Sequence, residues 1–164
     1  MSSDEEEQET FEAVGADAEK TYPIRAGEVK KGMVVLLKGL PCKVVEMTTS
    51  KTGKHGHAKA NITGVDIFTG KKAQDISPTS HNMLAPFVTI SNYQLSDISD
   101  DGFVTLMTEN GDTREDLKLP NADSADPELG AKIKEAFLNG EKDVFVVVTK
   151  AMETEQITAY RTAE

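Results

Sequence analysis

Between Tyr22 and about Ala85 the chain is cut by Ala26-Gly27, Lys31-Gly32, Gly39-Leu40-Pro41, Gly53 to Gly56, Gly64 and Gly70 into runs too short for helices. No helical period of useful length survives that punctuation, so the segment can only be short strands joined by tight turns, which in some sixty residues predicts a small barrel. The longest connection lies between two strand-forming runs, Cys42-Lys43-Val44-Val45-Glu46-Met47 and Ala58-Lys59-Ala60-Asn61-Ile62-Thr63. Between them stands Thr48 to Lys59, a glycine-flanked stretch with Lys51, Lys54, His55, His57 and Lys59 and no acid. The pattern predicts a long β-hairpin presenting Lys54 at its tip. Gly53 and Gly56 remove bulk on either side of that lysine and tolerate positive φ, so the backbone can turn sharply and a partner can close around the lysine stem. Ala58, Ala60 and Ile62 alternate in one phase and Val65 and Ile67 in the other, which predicts a β-bulge at Gly64.

Past His81-Asn82-Met83-Leu84-Ala85-Pro86-Phe87 the pattern changes, and Pro86 interrupts any continuing strand. Three parts follow: an acidic tail over 1–19, expected to be disordered, a barrel over 20–85 carrying the loop 48–59, and a second domain over 86–164. The second domain reads as strands over Phe87 to Leu95, Gly102 to Thr108, Thr113 to Leu119, Val144 to Met152 and Gln156 to Arg161, with an Asn110-Gly111 hairpin turn. One helix interrupts them. Asp126 caps it, Pro127 suits its first turn, Leu129, Ile133, Ala136 and Phe137 share a face, and Gly140 ends it. Five strands with a helix before the last two match a Greek-key barrel of the OB type.

Charge divides along the same lines. Residues 1–19 hold eight acids and no base, residues 20–82 eleven Lys or Arg against four acids, and residues 83–164 seven against sixteen, giving −8, +7 and −9 within the total of −10. A basic segment between acidic ones can engage nucleic acid although the whole protein is acidic. The apolar stretches Met33 to Leu37 and Val144 to Val148 are strand-sized and far below the roughly 20 residues of a membrane-spanning helix. The N-terminus shows no basic and apolar leader, and the single cysteine, Cys42, fits a reducing compartment, so the cytosol is expected. Ser2 and Ser3 precede Glu5 and Glu6 by three residues, making Ser2 a candidate for acetylation and acidophilic phosphorylation, with a plain solvated tail as the alternative.

Enzymatic chemistry finds little support. A phosphate-binding loop fails because Thr48 stands where its first glycine belongs and His55 where its Ser or Thr belongs. His55 and His57 share a strand face, yet a zinc site lacks further ligands nearby, Cys42 reads as a small core residue, and Asp97, Asp100 and Asp101 read as solvated turn carboxylates. A nucleophilic lysine would need a desolvated pocket, which an exposed tip does not supply. Contact with a phosphate backbone suits the hairpin better.

The run Ser50-Lys51-Thr52-Gly53-Lys54-His55-Gly56-His57-Ala58-Lys59 resembles the modification loop of the eukaryotic translation factor 5A family, the hypusine-containing factors. Tyr22-Pro23, Leu40-Pro41-Cys42-Lys43-Val44-Val45 and Gly64-Val65-Asp66-Ile67-Phe68-Thr69-Gly70-Lys71-Lys72 extend the resemblance, and the acidic tail is similar to eukaryotic members. It implies a mainly β chain, an N-terminal SH3-like barrel followed by a C-terminal OB-fold with one inserted helix. It implies too that Lys54 is a substrate: deoxyhypusine synthase transfers an aminobutyl group from spermidine to it, deoxyhypusine hydroxylase adds a hydroxyl, and no cofactor is bound. The modified factor is expected near the ribosomal exit site, its hypusine reaching the peptidyl-tRNA to relieve stalling at consecutive prolines and assist termination. Thr52, Gly53, His55, Gly56 and His57, with Lys51 and Lys59, are then the contacts to RNA and modifying enzymes. The cytoplasm is the expected location, with the nucleus as a second compartment, and homodimerisation is left open. The competing reading is a general single-stranded RNA-binding or transport adaptor, which predicts exposed aromatic residues on the barrel faces in a chain with no Trp.

Overall fold

The computed structural model describes residues 20–51 and 58–163. Two compact units divide them: one holds the described residues through Asp66 together with Lys72–Phe87, the other Ile67–Lys71 and Val88 onward. A single cut after residue 85 therefore misses one crossing, because the turn Ile67–Lys71 groups with the second unit. There the carbonyl of Phe68, a buried residue, accepts hydrogen bonds from Ala125 N at 2.9 Å and Gln156 Nε2 at 3.3 Å.

The first unit is built from β1 (Thr21–Arg25), a 3-10 turn (Ala26–Glu28), β2 (Val34–Leu37), β3 (Leu40–Lys51), β4 (Ala58–Asp66), β5 (Lys72–Pro78) and β6 (Asn82–Pro86). Strands β2, β3, β4 and β5 form an antiparallel sheet in that order, and β1 pairs with β6. Lys38 (φ 52°) and Gly39 (φ 82°) are both left-handed between the paired residues Leu37 and Leu40, the geometry of a two-residue hairpin turn whose twist matches its strands. The core gathers Val35, Leu37, Cys42, Val44, Ala60 and Ile62, closed by Ala26, Val29, Met83 and Ala85.

The bulge lies across the ladder from its expected place. Val44 pairs with Gly64 and Glu46 with Thr63, so Val45 on β3 is the extra residue, while β4 keeps one phase with Ala60, Ile62, Gly64 and Asp66 all buried. Gly64 has a packing role instead: a Cβ there would stand 2.8 Å from Leu37 Cδ1, 2.9 Å from Cys42 Cβ and 3.0 Å from Lys43 O. The sheet closes over its own backbone at that point, where a side chain has no room.

The second unit contains β7 (Val88–Ile98), β8 (Val104–Met107), β9 (Thr113–Arg114), α1 (Leu129–Asn139), β10 (Asp143–Ala151) and β11 (Thr154–Ala163), with sheet order β11-β10-β7-β8-β9. This is the expected OB-type barrel, whose core holds Leu95, Val104, Leu106, Ile133, Val144, Val146, Val148 and Ile157. The expected strand Thr113 to Leu119 is shorter: the ladder ends at Arg114, whose guanidinium turns onto Asp116, and contact with β8 resumes only where Leu117 O accepts from Val104 N and Phe103 bridges to Lys118. Gly111 (φ 88°) turns the β8–β9 loop as the Asn-Gly pair predicts. Helix α1 keeps its expected face and end but not its expected cap. Its N-cap is Glu128, with no side-chain cap, and Asp126 Oδ1 instead accepts from Glu128 N at 3.1 Å in the turn before the helix, which also holds Pro127; Leu129 and Ile133 are buried, and Gly140 (φ 71°) ends the helix in the left-handed conformation. Gly130 lets α1 lie on the preceding loop, since a Cβ would come within 2.1 Å of Pro120 O.

Candidate functional site

The hairpin expected from sequence is formed by β3 and β4, whose ladder runs from Cys42↔Asp66 to Lys51↔Ala58. Strand β4 is central, flanked by β3 on one side and, from Lys59 to Val65, by β5 on the other. Its first residue is held as well: Ala58 O accepts from Thr79 N (3.0 Å), and Thr79 O accepts from Gly27 N (3.0 Å). Ala26 N donates to His81 O (2.9 Å) in the same place, so the 3-10 turn, the β5–β6 turn and the end of β4 are tied together. A Cβ on Gly27 would meet Thr79 Cβ at 3.0 Å, so this glycine permits the approach. In the sequence Gly27 stands out only as punctuation and Thr79 not at all, because their partnership joins segments some fifty residues apart.

Thr52, Gly53, Lys54, His55, Gly56 and His57 lie outside the described residues, as do Ser2 and the rest of the acidic tail. Lys51 and Lys59 are described and exposed, but the ladder separates them. Lys51 pairs with Ala58 and Lys59 with Ser50, adjacent pairs whose side chains leave opposite faces of the sheet. Lys59 shares its face with Asn61, Thr63 and Val65, and through the pairs Lys43↔Val65 and Val65↔Lys72 with Lys43 and Lys72. Lys43, Lys59 and Lys72 form no ion pair among the described residues, so their charge is presented to solvent. Glu46 is the carboxylate on that face.

Cys42 is buried beneath the hairpin. Burial first, and the neighbouring Asp66 carboxylate second, push its thiol pKa up, the opposite of what a nucleophile or metal ligand requires. Among the described residues no three His, Cys, Asp or Glu side chains converge on a metal-sized space. Asp101 is part of a turn, accepting from the Ser99 hydroxyl, which itself receives Phe103 N; the Ser99 hydrogen bond is the main cause holding the Asp101 carboxyl below its usual value. No described helix is long and apolar enough to cross a membrane.

The described chain is thus a lysine-bearing hairpin in a small antiparallel sheet, followed in sequence by an OB-type barrel. Residues 19–81 match the family model "Translation initiation factor 5A-like, N-terminal", and residues 87–161 match "Eukaryotic elongation factor 5A hypusine, DNA-binding OB fold". The chain belongs to the translation initiation factor 5A family, a family of translation factors acting with the ribosome and not of catalysts. It is 54% identical over 160 residues to "Eukaryotic translation initiation factor 5A-4" of Solanum tuberosum, covering 97% of this chain and 96% of that one. To "Eukaryotic translation initiation factor 5A-1" of Arabidopsis thaliana it is 52% identical over 156 residues, 95% and 96% of the two chains. Among solved structures, a translation initiation factor of this family from Naegleria fowleri superposes with a TM-score of 0.79 at 56% identity, covering 87% of this chain and 99% of that one. "Eukaryotic translation initiation factor 5A from Methanococcus jannaschii" gives 0.63 at 28%, with 87% and 96% covered.

Proposed function

We propose that this chain acts on the ribosome near the exit site as an elongation and termination factor whose Lys54, converted to hypusine, steadies the peptidyl-tRNA at stalling sequences such as consecutive prolines. The observation that carries the reading is the ladder reaching Lys51↔Ala58, with Ala58 tied to Thr79, which fixes the two strand ends next in sequence to the run containing Lys54. Proline has a fixed φ and presents its amine poorly, so the deficit is one of positioning. Correct placement of reacting groups lowers a barrier without new acid–base chemistry. Hypusine lengthens lysine and adds an amine and a hydroxyl, which suit phosphate and ribose oxygens.

Lys54 is a substrate in this reading. Its Nζ displaces the secondary amine of spermidine by way of deoxyhypusine synthase: a carbon–nitrogen bond forms to the aminobutyl group, the corresponding bond in spermidine breaks, and a propane diamine leaves. Deoxyhypusine hydroxylase then converts one C–H of the added chain to C–OH, a two-electron oxidation in which dioxygen, used by that enzyme and not by this protein, supplies the oxygen atom. Lys51, Thr52, Gly53, His55, Gly56, His57 and Lys59 form the surface read by these enzymes and by RNA. The protein works in the cytoplasm and also reaches the nucleus, and acetylation or phosphorylation at Ser2 would act through the tail.

Intact-mass measurement of protein purified from its native cells, followed by fragmentation of the peptide holding Lys54, tests the reading. A mass increase at Lys54 equal to a hydroxylated aminobutyl group is expected. An unmodified Lys54 in cells that contain both modifying enzymes would overturn it.

A further inference from the structure

The outward face of the second unit's sheet carries a feature unrelated to Lys54. Arg161, Phe145, Gln94 and Met107 are successive partners across β11, β10, β7 and β8, so their side chains form one transverse row on one face. Phe145 is half-buried, and the Arg161 guanidinium carbon lies 4.3 Å from its ring centroid, close enough to stack. Beside this stack lies a cavity of about 120 Å³ lined also by Asn92 and Glu109. Neither Asn92 nor Gln94 spends its amide within the described residues, and Arg161 has no carboxylate partner there. A flat cationic plane backed by an aromatic ring, two free amides and one carboxylate together match the faces and edges of a nucleobase.

We propose that this cavity binds one unpaired nucleobase, which stacks on the Arg161–Phe145 platform while Glu109 accepts from its exocyclic amine. The charge of the region defines the mode of contact. Residues 83–164 carry −9, so a phosphate gains nothing here and the base, not the backbone, supplies the affinity. A carboxylate on the base edge favours cytosine, whose N4 amine donates, over uracil, whose O4 would face it. The site thus differs from the lysine-bearing face of the first unit, where salt-dependent backbone contact is expected, and it stands or falls independently of the modification of Lys54.

Nucleosides, which have no phosphate, isolate the base contact. Cytidine and uridine are titrated into full-length, isotopically labelled protein while the Asn92 and Gln94 side-chain amides and the Met107 methyl are followed by NMR. Cytidine is expected to shift all three and to bind more tightly than uridine, with little change between low and high salt. Arg161→Gln, at an exposed position, is expected to weaken cytidine about fivefold or more, in line with the loss of one stacking partner. Glu109→Gln is expected to remove the preference for cytidine. Absence of shifts at these three groups, equal binding of the two nucleosides, or shifts that persist unchanged in Arg161→Gln would each overturn the proposal.

Discussion

Arg114 on β9 grips Glu155 on β11 through two hydrogen bonds of 2.9 Å each, joining the two edge strands of the five-stranded sheet. The same guanidinium binds Asp116 at 2.8 and 2.7 Å and lies 5.6 Å from the Tyr93 ring centroid. One planar side chain therefore fastens the seam where this barrel comes round on itself, a use suited to arginine and not to lysine. Its hydrogen bonds to Asp116 and then to Glu155 hold its own pKa far above the usual value, and Arg114 in turn holds both carboxyls low.

Glu155→Gln should destabilise the second unit by about 1–2 kcal/mol at neutral pH. The folded pKa of Glu155 is depressed from its ordinary 4.5, so its contribution is present above that value and is lost as pH falls through the depressed one. Urea unfolding of the two proteins should differ at pH 7 and converge in strong acid. Asp116, with 64% of its side chain exposed, adds little. A difference that grows toward acid would contradict the assignment.

Gly64→Ala should cost about 1–3 kcal/mol, because the new methyl meets Leu37, Cys42 and the Lys43 carbonyl at once and the backbone on both sides is fixed in the ladder. Gly111→Ala, with nothing near its Cβ, tests the separate effect of positive φ alone. Thermal unfolding of the two variants separates crowding from conformational strain.

Cys42 should resist thiol reagents in the folded protein at pH 8, since burial and Asp66 both disfavour its thiolate. Labelling should accelerate in urea in step with unfolding of the first unit. Reaction at the rate of a free cysteine in native buffer would show the core to be open.

Lys59 and Lys51 should behave unequally toward single-stranded RNA. A backbone following the face with Lys43 and Lys72 meets Lys59 and not Lys51. Lys59→Gln is expected to flatten the plot of log affinity against log salt by about 0.7, the share of one neutralised phosphate on a single strand. Lys51→Gln should leave the slope nearly unchanged, and equal effects would mean that RNA contacts both faces.

Much of this architecture was legible in the residues. Glycine spacing announced the first barrel, and Gly140 marked the end of α1, whereas Asp126 and Pro127 fall in the turn before its start, where Glu128 is the N-cap. What escaped was set by contacts distant in sequence. The bulge at Val45 has no glycine or proline to mark it, and Gly64, which looked like its cause, answers to Leu37 and Cys42. Arg114 and Glu155 are 41 residues apart among many charges, so nothing local singles them out. The motif around Lys54 was conspicuous, but whether Lys51 and Lys59 face the same way depends on which residues pair across the hairpin, and composition does not fix that.

The placement of Ile67–Lys71 bears on how the protein can be made and dissected. Because Phe68 hydrogen-bonds to Ala125 and Gln156, a fragment begun at Val88 would lack a buried side chain of its own unit, and one ended at Phe87 would carry that side chain stripped of its partners. As the chain leaves the synthesising ribosome, the turn after β4 must wait for nearly ninety further residues before Gln156 emerges. The two units are thus interleaved in time as well as in sequence, and β11 completes a contact whose other half emerged 88 residues earlier.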